Sequence, residues 1–311
     1  MSLSAGPSGG PVLIVGSVAY DSVRTPFGEA KEILGGAASY ASVSASFFSP
    51  VRLVGVVGED FKYEHVAQLG HRDIDLAGLR RSPGKTFRWE GYYEYDLNQA
   101  HTTATELNVF QDFQPDLPPE YRNTPFVFLA NIDPAFQLSV LDQMRLPKIV
   151  ACDTMNFWIE GARDRVLEVL ARCNIALMND AEARQLSGES NLIAAARQIL
   201  NYGPRVAVIK KGEHGSFMMS RDSYFVAPGY PLEEVRDPTG AGDTFAGGLV
   251  GYLARCGDAD DEALRRAVIC GSVMASFTVE DFSLNRLFRL TPEEIAERYH
   301  QIVAMTRFEA F

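Results

Sequence analysis

Residues 235–248, near the C-terminal end of the chain, read Val-Arg-Asp-Pro-Thr-Gly-Ala-Gly-Asp-Thr-Phe-Ala-Gly-Gly. This turn of small residues leads into an apolar segment, Phe245 to Leu253, and such a change in composition predicts that a helix begins at the turn. The amide N–H groups in the first turn of a helix lack carbonyl partners and point in one direction, so they attract anions. The stretch therefore predicts an anion-binding helix N-terminus.

The same turn carries a group that can act on an alcohol. Because Gly240 and Gly242 have no side chains, a phosphoryl group can approach the backbone closely, and the amide of Ala241 would complete an anion hole. Asp243 places a carboxylate where an attacking hydroxyl could release its proton. A glycine turn that only caps a helix is the alternative, but the pattern Asp-x-Thr-Gly-Ala-Gly-Asp is too specific for it. We predict phosphoryl transfer to an alcohol.

This pattern resembles the C-terminal signature of the ribokinase family, also called the phosphofructokinase-B family of carbohydrate and nucleoside kinases. The resemblance extends from Val12 to about Thr306. It implies an α/β fold of three layers, with a mostly parallel central sheet and a small β-sheet lid. It also implies that ATP, together with Mg²⁺, donates its γ-phosphoryl group and that Asp243 is the general base.

Composition limits the partners of the chain. The 311 residues are 46% hydrophobic and 22% charged, which is enough apolar material for a large core. A net charge of −11 argues against nucleic acid or an anionic membrane as a partner, since both need a basic surface. The four cysteines lie far apart and predict buried thiols in a reducing compartment. Without a long apolar run or a signal peptide, we expect a cytoplasmic protein.

Strand and helix patterns alternate along most of the chain, which predicts a parallel sheet with helices on both faces. Residues 1–11 are rich in Gly, Ser and Pro and predict a disordered tail or a cloning remnant, which leaves residues 12–311 as one kinase domain. The predicted strands are Val12–Val15, Val51–Val57, Phe126–Ala130, Ile149–Cys152, Ile175–Met178 and Arg205–Ile209, and the predicted helices are Gly36–Phe48, Lys62–Leu69, Gly161–Arg172 and Leu192–Tyr202.

Two stretches interrupt this alternation. Residues 21–34 look irregular, whereas residues 84–108 contain an aromatic, strongly β-prone run from Thr86 to Asp96. Together they could form a small second sheet, the lid. Its many aromatic side chains predict that it covers a pocket or pairs with a second subunit, so we expect a homodimer through the lid; an ordinary surface hairpin is the alternative.

A second glycine motif predicts the acceptor site. Gly35 and Gly36 open a helix after the first irregular stretch and resemble the N-terminal signature of the family, in which Asp21 matches the aspartate that holds substrate hydroxyls. The family asparagine four residues after the second glycine is replaced here by Tyr40, which changes the hydrogen-bonding group at that position. Asn131 and Asn156 follow two predicted strands and are further candidates for the substrate pocket, because ligands bind at the carboxyl ends of such strands.

The nucleotide site is predicted by weaker motifs. Asn179 and Glu182 match the Asn-x-x-Glu motif of the family, in which the glutamate contacts Mg²⁺ through water; a plain helix cap at Asn179 or Asp180 is the alternative. Other candidates are implied by position in the same signatures: Lys211, or Lys210 beside it, for phosphate charge, Gly212 and Gly215 for the nucleotide turn, Thr239 beside the anion hole, and Asp237 for a monovalent cation such as K⁺, with Ser283 near the position of a partnering glycine.

The acceptor remains open between chemical classes. The first reading is a kinase that acts on a hydroxymethyl group of a small sugar or polyol. A ribonucleoside kinase uses the same machinery, and aromatic residues at Tyr40, Phe87, Trp89 or Tyr93 could stack a base. A non-catalytic sugar-binding regulator on the same fold is the third reading, which the presence of both Asp243 and Glu182 disfavours.

Overall fold

The computed structural model describes residues 9–309, so residues 1–8 of the predicted tail lie outside the described residues. The other three residues of that stretch are attached to the domain. The amide of Gly9 donates to the carbonyl of Ala254 at 3.1 Å, and the hydroxyl of Ser49 donates to the carbonyl of Gly10 at 2.8 Å. The domain thus begins two or three residues before Val12.

The described residues form two sheets and a set of helices. The strands are β1 (Val12–Val15), β2 (Ala19–Thr25), β3 (Gly28–Gly35), β4 (Val51–Val57), β5 (Ile74–Arg81), β6 (Phe87–Tyr93), β7 (Ala100–Glu106), β8 (Phe126–Leu129), β9 (Ile149–Asp153), β10 (Ile175–Asn179), β11 (Val206–Lys210), β12 (Ser216–Ser220) and β13 (Tyr224–Ala227). The helices are α1 (Ala37–Ala45), α2 (Tyr63–Gly70), α3 (Pro134–Gln143), α4 (Asn156–Gly161), α5 (Arg163–Arg172), α6 (Asp180–Ser187), α7 (Leu192–Asn201), α8 (Ala241–Cys256), α9 (Asp261–Thr278), α10 (Asn285–Arg289) and α11 (Pro292–Met305).

The large sheet has the strand order β13-β12-β11-β10-β9-β8-β1-β4-β5. The pairs from β11 to β5 are parallel, and β12 and β13 are added antiparallel at one edge. In β1, Val12 and Ile14 face one buried cluster while Leu13 and Val15 face another, so both faces of the sheet are covered. This arrangement confirms the predicted three-layer α/β fold with a mostly parallel sheet.

The small sheet has the order β3-β2-β6-β7, as predicted for a lid. The stretch from Asp21 to Leu34 was expected to be irregular, but it lies in the hairpin of β2 and β3. The alternation of apolar and polar residues that marks a strand is not visible in the sequence of β2. Two of the buried positions, on the same face as Val23, are occupied by the polar residues Asp21 and Thr25. Among residues 9–309, no helix combines the length and the apolar composition needed to cross a membrane.

Helix α1 lies unusually close to helix α8. A methyl group on Gly247 would be 2.2 Å from the carbonyl oxygen of Ala41, and one on Gly251 would be 2.8 Å from the Cα of Ala45. The backbones of the two helices therefore touch through small residues. Since α1 begins next to Gly36 and α8 begins next to Gly240, this contact brings the two glycine motifs of the sequence together.

We expect Gly247→Ala to destabilise the protein, because the added methyl group would force the two helices apart. Overpacking of this kind costs about 1–3 kcal/mol of unfolding free energy. Gly70→Ala is the matched control, since a methyl group at Gly70 meets nothing within 4 Å. Urea unfolding of both variants tests the contact; equal stabilities would contradict it.

Candidate active site

The predicted anion hole lies at the N-terminus of α8. Gly240 is the residue before the helix and adopts φ 75°, a left-handed conformation that favours glycine. The amide of Ala241 donates to the carbonyl of Pro238 at 3.2 Å, so that N–H is already in use. The amides of Gly242 and Asp243 follow it in the first turn, where no carbonyl partner is available inside the helix. The amide of Asp243 also lies near its own carboxyl, so the amide of Gly242 is the more available of the two for an anion.

Asp243 lies in the first turn of α8 among other charged groups. Burial raises the pKa of its carboxyl from 3.8 to about 7, and the negative charge of Asp153 adds to this while Lys210 opposes it. A carboxylate whose pKa is near 7 is a stronger base than an ordinary carboxylate. At neutral pH a large share of it is still ionised and able to accept a proton. The position and the pKa both suit a proton acceptor.

Lys210, at the end of β11, is the lysine that reaches this helix. Its Nζ lies 2.6 Å from Oδ2 of Asp153, at the end of β9, and 3.1 Å from the position of a β-carbon on Gly242. Both side chains of the ion pair are largely buried. The neighbouring Lys211, which the sequence favoured, instead begins the following turn, where its amide donates to the carbonyl of Gly215 at 2.8 Å.

Asn179 and Glu182 form a helix cap and also belong to the charged cluster. The Asn179 side chain accepts from the amide of Glu182 at 2.8 Å, and Oε2 of Glu182 accepts from the amide of Asn179 at 2.7 Å. Burial raises the pKa of Glu182 to about 7, and the nearby charges of Asp153 and Asp243 contribute. Glu182 can therefore cap the helix and also contact Mg²⁺ through water, because the cap uses only one of its two carboxylate oxygens.

The structure brings the residues of the predicted acceptor motif, Asp21, Gly35 and Gly36, close together. Asp21 is 5% exposed, and its Oδ2 lies 1.9 Å from where a β-carbon on Gly35 would be, so only glycine leaves room for this carboxylate. Burial raises the pKa of Asp21 to about 7, although the nearby amide of Gly36 lowers this pKa in part. The charges of Asp237 and Asp243 raise the pKa further, which places the acceptor motif beside the anion hole.

Tyr40 joins the two motifs. A β-carbon on Gly240 would lie 2.5 Å from its ring carbons, so the ring packs directly against the turn that precedes α8. Its hydroxyl is buried and has no hydrogen-bond partner in residues 9–309. Burial and the charges of Asp21 and Asp237 raise the pKa of Tyr40 well above its usual value, so the hydroxyl is a neutral donor. A ligand hydroxyl or phosphoryl oxygen would provide the missing partner.

The lid closes over the site through its inner face. Tyr93, at the end of β6, is 3.3 Å from the hydroxyl of Thr239, and the hydroxyl of Thr25 donates to the carbonyl of Arg236 at 2.8 Å. Trp89 pairs with Asp21 across β6 and β2, and paired residues of neighbouring strands lie on the same face of a sheet. Its indole N–H donates to the hydroxyl of Thr102 at 3.0 Å, and its ring lies over Gly91, where a β-carbon would be 2.4 Å from a ring carbon.

Asp237 holds the turn that leads to the anion hole. Its Oδ1 accepts from the amide of Thr239 at 2.9 Å, whereas its buried Oδ2 is without a hydrogen-bond partner in the described part of the chain. The nearby amide of Ser283 lowers the pKa of Asp237 in part, and Ser283 has φ 57°, the left-handed conformation of the glycine that the sequence lacks there. The structure thus places Ser283 where that glycine was expected.

The remaining candidates are spread more widely. Asn131 follows β8, and its buried side-chain oxygen lacks a partner within the described residues. Asn156 begins α4 and is exposed, so it does not belong to the group of charged residues around Lys210. Gly212 and Gly215 form the turn between β11 and β12, where Asn98 of the lid approaches Gly212 to 3.1 Å from the position of a β-carbon.

An α/β domain with a lid, and a helix N-terminus with a carboxylate in its first turn, suit a phosphotransferase. The family model for pfkB family carbohydrate kinases matches residues 12–286. The chain belongs to this family and is an ATP-dependent kinase, which confirms the predicted family and class of enzyme. Members of the family that resemble it act on nucleosides or on sugars.

Relatives with nucleoside substrates are prominent among the similar proteins. The cytidine kinase of Thermococcus kodakarensis is 30% identical over 248 residues, which cover 78% of this chain and 88% of that protein. The nucleoside kinase of Methanocaldococcus jannaschii is 27% identical over 266 residues, 83% and 82% of the two chains. The solved nucleoside kinase of Burkholderia thailandensis in complex with inosine has the same fold, with a TM-score of 0.77, 19% identity and coverage of 94% and 98%.

The raised pKa of Asp243 predicts a pH-dependent cost to stability. In the unfolded chain the carboxyl would ionise near 3.8, whereas in the folded protein it ionises near 7. Between these values the folded state binds the extra proton, so the stability of the wild type falls as pH rises. Asp243→Asn removes this effect, and we expect its stability relative to the wild type to improve by about 2–3 kcal/mol from pH 4.5 to pH 8.

Thermal and urea unfolding at the two pH values measure this difference. The exposed Asp142 gives a matched control, Asp142→Asn. If Asp243→Asn gains no more with pH than the control does, the Asp243 carboxyl does not titrate near neutral pH.

Proposed function

We propose that the chain transfers the γ-phosphoryl group of ATP to the hydroxymethyl group of a nucleoside. The sequence alone favours a small sugar or polyol as the acceptor, with a nucleoside as the alternative. The observation that carries the revised proposal is the position of Trp89, beside Asp21 on the inner face of the lid. The names of the cytidine and nucleoside kinases to which the chain is similar support the same choice.

Trp89 is suited to hold a base. Its ring lies against the backbone at Gly91 and is fixed by the hydrogen bond to Thr102, so one face is supported by the lid while the side chain stays partly exposed. A rigid indole face stacks on bases of any type. A free sugar has no flat ring to use this surface, whereas a nucleoside whose ribose lies on Asp21 would place its base near Trp89.

Asp21 and Asp243 have separate tasks in this proposal. An ionised Asp21 accepts hydrogen bonds from two neighbouring ribose hydroxyls and so orients the sugar, and those donors stabilise the ionised form. Asp243 then takes the proton of the hydroxymethyl group as its oxygen attacks the γ-phosphorus and ADP leaves. The amides of Gly242 and Asp243 stabilise the charge on the transferred group.

Magnesium and a monovalent cation fit two different places. Within residues 9–309 no cluster of three or more acidic, His or Cys side chains could hold a metal directly. Mg²⁺ usually keeps several waters and binds nucleotide phosphates, and Glu182 would contact it through water. Bound Mg²⁺ neutralises charge on the phosphates. The unpartnered Oδ2 of Asp237 fits K⁺ or a similar cation, which would supply the missing interaction.

The homodimer and the cytoplasmic location remain proposals. In the described part of the chain β3 and β7 are the edge strands of the lid, and the large side chains of Phe27 and Tyr95 are exposed at its tip. Both features suit pairing with a second subunit. No cysteine in the described part of the chain is in a disulfide, which agrees with a reducing compartment.

We expect a panel of acceptors, assayed by ADP release, to favour nucleosides over free ribose, hexoses and polyols. We further expect Trp89→Leu to raise the KM for the preferred nucleoside by about 10- to 100-fold, because base stacking contributes about 1–3 kcal/mol. The matched control is Tyr92→Leu, since Tyr92 stacks on His101 at 4.9 Å on the opposite face of the lid. A wild type that prefers sugars, or equal KM values in the two variants, would overturn the nucleoside proposal.

A further inference from the structure

A buried lysine at the positive end of a helix needs an explanation. Lys210 lies beside Gly242, where the dipole of α8 repels a cation. The carboxylates that face it come from three elements: Asp153 from β9, Glu182 from α6 and Asp243 from α8. Burial lowers the pKa of Lys210, but these carboxylates more than offset that effect, so the ammonium group stays charged.

We propose that Lys210 binds the γ-phosphoryl group of ATP and that Asp153 is the positioning residue that holds the ammonium group beside Gly242. The charged group and the first-turn amides of α8 then face the same anion from two sides. The 2.6 Å ion pair fixes the Nζ atom before the nucleotide arrives, which reduces the entropy lost on binding.

The backbone contacts make this placement rigid. Lys210 pairs with Asn179 in the sheet, and Asp153 is followed by a turn in which its Oδ1 accepts from the amide of Thr154 at 2.9 Å. The carbonyl of Asp153 also accepts from the side chain of the buried Gln137 at 3.0 Å. Neither partner of the ion pair can therefore move far without breaking a hydrogen bond.

The proposal rests on the phosphoryl transfer of the proposed function but not on the identity of the acceptor. It can therefore be tested without an acceptor, by calorimetry with Mg²⁺ and either ADP or the β,γ-methylene analogue of ATP. Lys210→Met should weaken binding of the ATP analogue by about 10- to 100-fold and binding of ADP much less, since only the analogue carries a γ-phosphoryl group. Lys148→Met is the control, because Lys148 precedes β9 and so lies at the opposite end of the parallel strands from Lys210, which ends β11.

Asp153→Asn should reduce the preference for the ATP analogue over ADP, and the double variant should lose no more of this preference than Lys210→Met alone. The double variant also removes both buried charges, so it serves if Lys210→Met does not fold. Equal losses for the two nucleotides, or no loss, would overturn the proposal for Lys210. Additive losses would overturn the positioning role of Asp153. A wrong acceptor class would leave all of these results unchanged.

Discussion

The close contact of α1 with α8 is the constraint on which the site depends. Gly247 and Gly251 let the two backbones touch, and the helices begin at the two glycine motifs of the sequence. Tyr40 of α1 consequently packs on Gly240, and Asp21 comes close enough to Asp243 for their charges to interact. Larger side chains between the helices would separate the acceptor site from the phosphate site.

The electrostatic arrangement follows from that geometry. Asp21 is buried, Glu182 and Asp243 are partly buried, and the pKa of each carboxyl rises to about 7. Lys210 is the cation that interacts with Glu182 and Asp243, and it is paired with Asp153. Such an arrangement lowers the stability of the folded protein at neutral pH and is typical of catalytic sites. Binding of a metal, a cation and a polar substrate would relieve part of this cost.

Much of the fold could be predicted because its strands are short apolar runs and its helices are amphipathic or small-residue segments. The six predicted strands and four predicted helices are present, with ends that differ by three residues or fewer. The positions of the side chains at the site are harder to predict from the sequence. Whether Lys210 or Lys211 points at α8 depends on where one strand ends, and a single residue reverses the direction of a side chain. The position of Trp89 beside Asp21 depends on strand register, which no local pattern reveals.

In the proposed mechanism, Asp243 takes the proton from the acceptor hydroxyl, and the other residues of the site are sufficient to bind ATP and the acceptor. The most direct test is the steady-state turnover of Asp243→Asn with the preferred acceptor, together with its affinity for ATP. The amide keeps the shape of the side chain but loses its basicity, so we expect kcat to fall by about 10²–10⁴ while the Kd of ATP changes little. Turnover close to that of the wild type would contradict the account.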